Sequence, residues 1–94
     1  MVERRVTVKN RLGLHARAAA QLVRTASEFQ SIVRLERADG SAAADAKSIL
    51  SVLMLAACCG TELRIMADGV DEERAISALE ALFQTGFGES DPQV

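Results

Sequence analysis

The sequence predicts an α+β open-faced sandwich, in which three helices cover one face of a four-stranded antiparallel sheet. Four short stretches alternate apolar and polar residues, as half-buried strands do, and three longer stretches repeat apolar residues at helical spacing. They follow one another as β-α-β-β-α-β-α, with no internal repeat and no linker in the 94 residues. Helices on one face bury each apolar stripe once and leave the other sheet face in water, so residues 1–94 are expected to form a single domain.

The first strand and helix flank a polar loop. Residues 3–8 alternate, with Val6 and Val8 on one face. Residues 9–13 contain an asparagine and a glycine and are expected to form a loop. From Ala16 onward an amphipathic helix is predicted, and its apolar face consists of Ala19, Leu22, Val23, Ala26 and Phe29.

A hairpin and a second helix come next. Residues 31–37 and 41–46 are expected to pair around Asp39-Gly40, a dipeptide common in hairpin turns. The alanines of the return strand are poor strand formers, so it is placed at an edge of the sheet. The following helix, residues 49–57, is apolar nearly all the way round. Either part of it is exposed as a partner surface or it is buried more deeply than one sheet allows, and the pattern leaves both open.

A strand and a helix close the chain. Residues 62–67 alternate, with Leu63, Ile65 and Ala67 on the buried face. The last helix is expected to begin near residues 70–73, whose acidic side chains suit the positive helix start. Gly86 is expected to end this helix and residues 89–94 to form a frayed tail. The predicted buried residues of the helix are Ala75, Ile76, Leu79, Leu82 and Phe83.

The composition argues against a nucleic-acid binder, a membrane protein and a metal site. With a formal net charge of -2 and no tryptophan or tyrosine, the chain lacks a basic surface and stacking platforms. No stretch has the length and hydropathy of a signal peptide or membrane span, so a cytoplasmic location is expected. One histidine and the adjacent Cys58 and Cys59 do not match metal-ligand spacing, and the two thiols are expected to be free and partly buried.

Motifs of common enzyme classes are missing from the sequence. There is no glycine-rich phosphate loop and no GxSxG elbow, and a chain of 94 residues is small for a cleft between two lobes. Acidic residues lie at predicted turns and helix starts, where they serve as caps. A small carrier or binding module without a cofactor is therefore favoured over an enzyme.

The only histidine, His15, directly precedes the first predicted helix, and Arg17 follows two residues later. A helix N-terminus offers unpaired N–H groups and a positive dipole end, both of which suit a bound anion. These charges also disfavour the imidazolium form, which leaves a neutral, nucleophilic ring. A phosphorylated His15 could be held by the amides of Ala16, Arg17 and Ala18 and by the Arg17 guanidinium. An inert helix-capping histidine is the alternative that these residues leave open.

Several segments together carry a family resemblance. Gly13-Leu14-His15-Ala16-Arg17 leads into an alanine-rich amphipathic helix. Further matching segments are Leu22-Val23, Thr25-Ala26-Ser27, Lys47-Ser48-Ile49, Asp68-Gly69 and Gly86-Phe87-Gly88. In this order, over nearly the whole chain, they resemble HPr, the histidine-containing phosphocarrier of the bacterial phosphoenolpyruvate-dependent phosphotransferase system.

The resemblance implies a cytoplasmic phosphoryl relay for sugar uptake or a regulatory branch, and not an enzyme with turnover of its own. His15 would accept a phosphoryl group on Nδ1 from Enzyme I and pass it to an EIIA-type domain, with Arg17 stabilising the phosphate. The resemblance also implies the strand order 1-4-2-3. A monomer is expected. The aliphatic residues with which the family docks its partners correspond to Leu14, Ile49, Leu50 and Leu53.

Ser48 corresponds to the family's regulatory serine, which HPr kinase/phosphorylase modifies in many bacteria, and a plain helix N-cap is the alternative. A second function therefore stays open, a regulatory interaction module of the same fold controlled through Ser48 without a relay. Two positions depart from the family pattern. Ala18 replaces the usual proline and restores one N–H group, and Leu12 replaces a small polar residue.

Overall fold

The computed structural model describes residues 1–89 and has the predicted architecture. Its elements are β1 (Val2–Thr7), α1 (Ala16–Ser27), β2 (Ile32–Arg37), β3 (Ala43–Asp45), α2 (Ile49–Met54), β4 (Glu62–Asp68), α3 (Glu72–Gln84) and a final 3-10 turn (Gly86–Gly88). The four strands form one antiparallel sheet in the order β1-β4-β2-β3. The open-faced sandwich and the 1-4-2-3 strand order are thus confirmed, and β3 lies at an edge as predicted.

The hydrophobic core lies between the sheet and the helices. Alternate residues of β2 and β4 are buried, as the period-two pattern predicts, and in β1 the buried residue is Val6. The apolar stripes of α1 and α3 cover them, since each helix must bury its apolar side once. The largest of these fully buried side chains are Phe83, Leu22, Leu35, Leu63, Ile65, Ile76 and Leu79.

Helix α2 is shorter than the predicted range 49–57. It ends at Met54, and Ala56 adopts the left-handed conformation with φ of 53°, which no regular helix can continue. Val52 is completely buried, whereas Leu50 and Met54 are two-thirds exposed or more. The short helix therefore packs along one side only, and of the two readings that the apolar pattern leaves open, the exposed surface is correct.

Strand β3 is also shorter than the predicted range 41–46. The carboxylate of Asp39 accepts a hydrogen bond from the Ser41 amide at 2.9 Å, and that of Asp45 accepts one from the Lys47 amide at 2.9 Å. Such local bonds form turns that compete with sheet pairing. They leave three residues for the strand.

Among residues 1–89, no helix has the length and hydropathy needed to cross a bilayer.

Candidate functional site

His15 is the N-cap residue of α1. Its backbone is extended, with φ of -75° and ψ of -177°, and its Nδ1 accepts a hydrogen bond from the Arg17 amide at 3.4 Å. A side chain that accepts from the second helical residue satisfies one of the unpaired N–H groups of the first turn. The side chain is about one-quarter exposed. Nδ1 therefore faces the positive end of the helix and remains within reach of solvent.

The carboxylate of Glu89 lies against the other ring nitrogen of His15. The distance from Nε2 to Oε2 is 2.5 Å, and Oε1 of Glu89 accepts a hydrogen bond from Asn10 Nδ2 at 3.1 Å. Only 10% of the Glu89 side chain is exposed. Glu89, the first residue of the expected frayed tail, is thus held in the site, and the tail prediction does not apply to it. Residues 90–94 lie outside the described residues.

The preceding segment explains why Glu89 reaches His15. Phe87 has a left-handed backbone with φ of 59° and is almost completely buried. Its ring packs edge-on against that of Phe83, with 5.0 Å between the ring centroids. Gln21 of α1 donates a hydrogen bond to the Phe87 carbonyl at 3.2 Å. The Gly86–Gly88 turn therefore folds back onto α1, and it places the next residue beside the start of that helix.

The surroundings of Glu89 favour its charged form. Burial by itself would raise the pKa of the carboxyl group. The hydrogen bonds from His15 and Asn10, together with the Arg17 charge, outweigh that effect and hold the pKa of Glu89 below its ordinary value. At neutral pH, Glu89 is an anion that accepts hydrogen bonds and donates none.

Arg17 and the first-turn amides lie where the sequence predicts them. The Arg17 guanidinium is 70% exposed, and its Nη2 is 3.8 Å from Glu89 Oε2, so it is loosely held beside that carboxylate. Ala16, Arg17 and Ala18 are the first three helical residues, whose amides have no carbonyl four residues earlier within the helix. The Arg17 amide already points at Nδ1. We call these three amides the anion-binding corner, because unpaired amides at a helix start suit an anion. The Arg17 guanidinium itself contacts Glu89, on the Nε2 side of the ring.

The loop before His15 is held against the segment after α2. The amide of Leu14 donates to the Ala57 carbonyl at 2.9 Å, and Gly13 has φ of 67°. A Cβ atom on Gly13 would lie 2.6 Å from that carbonyl oxygen and 2.8 Å from Cys58 Cα. Only glycine permits this approach. Cys58 and Cys59 are free, as expected, but they are exposed and not partly buried as predicted.

Leu14 was predicted to belong to a docking surface, and this assignment is wrong. Its side chain is buried in the hydrophobic core, and its amide is bonded to Ala57, which follows α2. The other three predicted docking residues are exposed, and the neighbouring Met54 is exposed with them. We call these four residues the α2 cluster: Ile49, Leu50, Leu53 and Met54.

Ser48 caps the short helix α2. Its Oγ accepts a hydrogen bond from the Ser51 amide at 3.3 Å, and its backbone is extended. The hydroxyl is half-buried and directly precedes the α2 cluster. A capping role is therefore present in the structure, and it is compatible with either interpretation of this serine.

A cleft of about 550 Å³ opens beside the His15 site. The residues that line it are Arg11, Leu12, Arg17, Gln21, Phe87, Gly88 and Glu89. Two arginines and exposed apolar surface make this cleft suitable for an acidic, partly apolar partner surface.

Within residues 1–89, no three His, Cys, Asp or Glu side chains are arranged to hold a metal ion.

Comparison with known proteins gives the family. A family model described as the PTS HPr component phosphorylation site matches residues 2–85. The chain belongs to the HPr family. It is 48% identical to phosphocarrier protein HPr of Xylella fastidiosa over 89 residues, which are 95% of this chain and 98% of that protein. It is 46% identical to phosphocarrier protein NPr of Proteus mirabilis over 86 residues, which are 92% and 94% of the two chains.

The HPr fold is shared as well. The crystal structure of HPr from Thermoanaerobacter tengcongensis matches with a TM-score of 0.90 at 41% identity, covering 97% of this chain and all of that one. The resemblance seen in the sequence is therefore confirmed. HPr and NPr are phosphocarriers, so this chain is a covalent carrier of the phosphotransferase system and not an enzyme with turnover of its own.

Proposed function

We propose that this HPr-family protein accepts a phosphoryl group on His15 from Enzyme I, which obtains it from phosphoenolpyruvate, and passes it to an EIIA-type domain. The observation that carries the proposal is the position of Nδ1 at the N-terminus of α1, directed at a helix amide. The Arg17 guanidinium is mostly exposed and only loosely held by Glu89, so it is free to turn toward a phosphoryl group on Nδ1. The anion-binding corner binds the phosphoryl oxygens once the group arrives.

The step conserves atoms and electrons. The lone pair of Nδ1 attacks phosphorus, a nitrogen–phosphorus bond forms, and the bond between phosphorus and the donor breaks with its electron pair returning to the donor. The amides of Ala16 to Ala18 and the Arg17 guanidinium balance the negative charge of the bound group. The carrier contributes positioning and charge, and its partners complete the site.

The α2 cluster is proposed as the docking surface for these partners. Leu50 and Met54 are mostly exposed and so contribute little to the core. Exposed aliphatic side chains that lie together on a small domain are typical of interaction sites. We propose that this protein is a monomer, so that the α2 cluster stays free for its partners. Its proposed location is the cytoplasm, as the family's relay implies.

Ser48 is proposed as a second phosphorylation site, used by an HPr kinase/phosphorylase. A phosphate there would add close to two negative charges directly before the α2 cluster. Docking of Enzyme I should weaken as a result. Incubation with ATP and the kinase tests this proposal, because a phosphate that is absent from Ser48→Ala supports it and an unlabelled wild type contradicts it.

The relay is tested by incubating the protein with Enzyme I and radiolabelled phosphoenolpyruvate. An acid-labile label is expected on the wild type and none on His15→Ala, since phosphoramidate bonds hydrolyse in acid. A known carrier serves as the positive control. If that control is labelled and the wild type is not, the relay is excluded and the regulatory module controlled through Ser48 becomes the better interpretation.

A further inference from the structure

We propose that Asn10 and Glu89 act as a pair of positioning residues that keep the proton of His15 on Nε2 and stabilise the positive charge that its ring acquires during transfer. We call them the Asn10–Glu89 pair. The inference rests on the proposed function, because it concerns the nitrogen that accepts the phosphoryl group. It adds two residues to the site, one from the loop before α1 and one from the end of the chain.

Asn10 fixes the direction of the Glu89 carboxylate. Asn10 is only 5% exposed, and its Nδ2 donates both to the Gly13 carbonyl at 2.7 Å and to Glu89 Oε1 at 3.1 Å. Two acceptors at this point determine which way the amide faces, because its oxygen could bond to neither. Glu89 is therefore anchored through one oxygen and presents the other to His15.

The contacts of the two ring nitrogens select one tautomer. Nδ1 faces an N–H donor, the Arg17 amide, and Nε2 faces a carboxylate that can only accept. Both contacts are satisfied when the proton is on Nε2. The Nδ1 lone pair then carries no proton, and it can attack phosphorus as the Arg17 amide passes from Nδ1 to a phosphoryl oxygen. A proton on Nδ1 would instead occupy the nucleophilic lone pair.

The same carboxylate stabilises charge during the transfer. When a neutral imidazole forms a bond to phosphorus through Nδ1 and keeps its proton on Nε2, the ring becomes positively charged. Glu89 then lies against the protonated nitrogen, on the far side from the phosphoryl group. A buried aspartate supports the catalytic histidine of serine hydrolases in the same way, by fixing its tautomer and stabilising its imidazolium. In the return step, a protonated ring is also the better leaving group.

The pair is tested by exchanging the carboxylate for an amide. In Glu89→Gln, Asn10 Nδ2 would keep the side-chain oxygen, so the new NH₂ group would face Nε2 and favour a proton on Nδ1. Nitrogen-15 spectra of His15 with the ring neutral are expected to show mainly the Nε2–H form in the wild type and a shift toward Nδ1–H in this variant. Glu28→Gln, an exposed position near the end of α1, is the matched control and should resemble the wild type.

Transfer rates separate positioning from a structural role. Glu89→Gln is expected to slow phosphoryl uptake from Enzyme I by about tenfold or more. Glu89→Ala removes the carboxylate without adding a donor and should be less impaired than Glu89→Gln. A purely structural role gives the opposite order, because glutamine preserves the shape of the side chain.

Two results would overturn the proposal, namely an unchanged tautomer in Glu89→Gln or a slower Glu89→Ala. Thermal unfolding of each variant confirms that it is folded. Because the tautomer is measured without any partner, it judges the Asn10–Glu89 pair even if the wild type takes no label from Enzyme I.

Discussion

Gly13 sets how closely the His15 loop approaches the rest of the molecule. Gly13→Ala combines a left-handed backbone with a Cβ atom placed against Ala57 and Cys58, and it is expected to lower the free energy of unfolding by about 1–3 kcal/mol. Gly40→Ala is the matched control, because φ is +79° there and nothing lies within 4 Å of the added Cβ. Urea titration should show a larger loss for Gly13→Ala. Equal losses would mean that the close approach has no energetic consequence.

Arg17 is expected to contribute charge to the phosphorylated state more than to folding, because it is mostly exposed and only loosely held. Arg17→Gln should slow uptake of label from Enzyme I by about tenfold or more, as the loss of a donor at a developing charge does. Stability should change by less than about 0.5 kcal/mol. Arg24→Gln, an exposed position on the same helix, is the control. Equal rates for the two variants would remove Arg17 from the site.

Among single residues, the sequence predicted those whose position is determined by their neighbours in the chain. His15, Arg17 and the first-turn amides follow from their position at a helix start, and Ser48 follows in the same way as a cap. Glu89 was missed because its contact with His15 spans 74 positions and leaves no local pattern. Leu14 was misplaced because the family resemblance shows that an aliphatic residue precedes the histidine but does not show whether its side chain packs into the core.

Among the elements, α2 is the one whose structure bears most on function. Leu50→Glu is expected to weaken binding of Enzyme I, because it places a charge in the α2 cluster, while stability changes by less than about 0.5 kcal/mol at an exposed position. Val70→Glu makes the same exchange at an exposed residue outside the cluster. Calorimetric titration with Enzyme I should separate the two variants. If Leu50→Glu unfolds the protein, or binds as tightly as Val70→Glu, the cluster is not the docking surface.

The elements also show what hydropathy patterns can and cannot give. Strands and amphipathic helices were predicted from their periods, and their boundaries shifted by one to a few residues. The end of α2 was not predictable, because the left-handed conformation of Ala56 depends on the packing of the following segment and not on the apolar pattern of the helix. That early end decides which aliphatic residues are exposed.

Across the whole molecule, Asp71 ties the start of α3 to the junction between α1 and β2. Its carboxylate accepts hydrogen bonds from the Ser31 hydroxyl at 2.5 Å and from the amides of Gln30 and Ser31 at 2.8 and 2.9 Å. These bonds, the Ser31 hydroxyl first, lower the pKa of Asp71 from 3.8 to about 2. A lowered pKa in the folded state adds stability that is present above pH 3.8 and is lost as the pH falls toward about 2.

The free energy of unfolding of Asp71→Asn is therefore expected to depend less on pH in acid than that of the wild type. The free energy of unfolding of the wild type should fall more steeply between pH 4 and pH 2 than that of the variant, and denaturant titrations across this range measure the difference. Glu73→Gln, an exposed position in the first turn of α3, should retain the wild-type slope. Parallel curves for the wild type and Asp71→Asn would contradict the linkage.

The global arrangement was predictable in part from residues and in part from resemblance. The order of the elements and their apolar faces indicate a sandwich with one covered face. The strand order β1-β4-β2-β3 came only with the family, since period-two patterns do not say which strands are neighbours. The return of the chain end to His15 is a property of the whole fold, and no segment shows it alone.

The measurement that tests the central claim most directly is nuclear magnetic resonance of nitrogen-15-labelled protein phosphorylated by Enzyme I and phosphoenolpyruvate. Coupling between phosphorus and nitrogen is expected at Nδ1 of His15, the nitrogen that faces the N-terminus of α1. Coupling at Nε2, the nitrogen that faces Glu89, would contradict the proposed geometry. Phosphate on no histidine under conditions that phosphorylate a known carrier would contradict the relay itself.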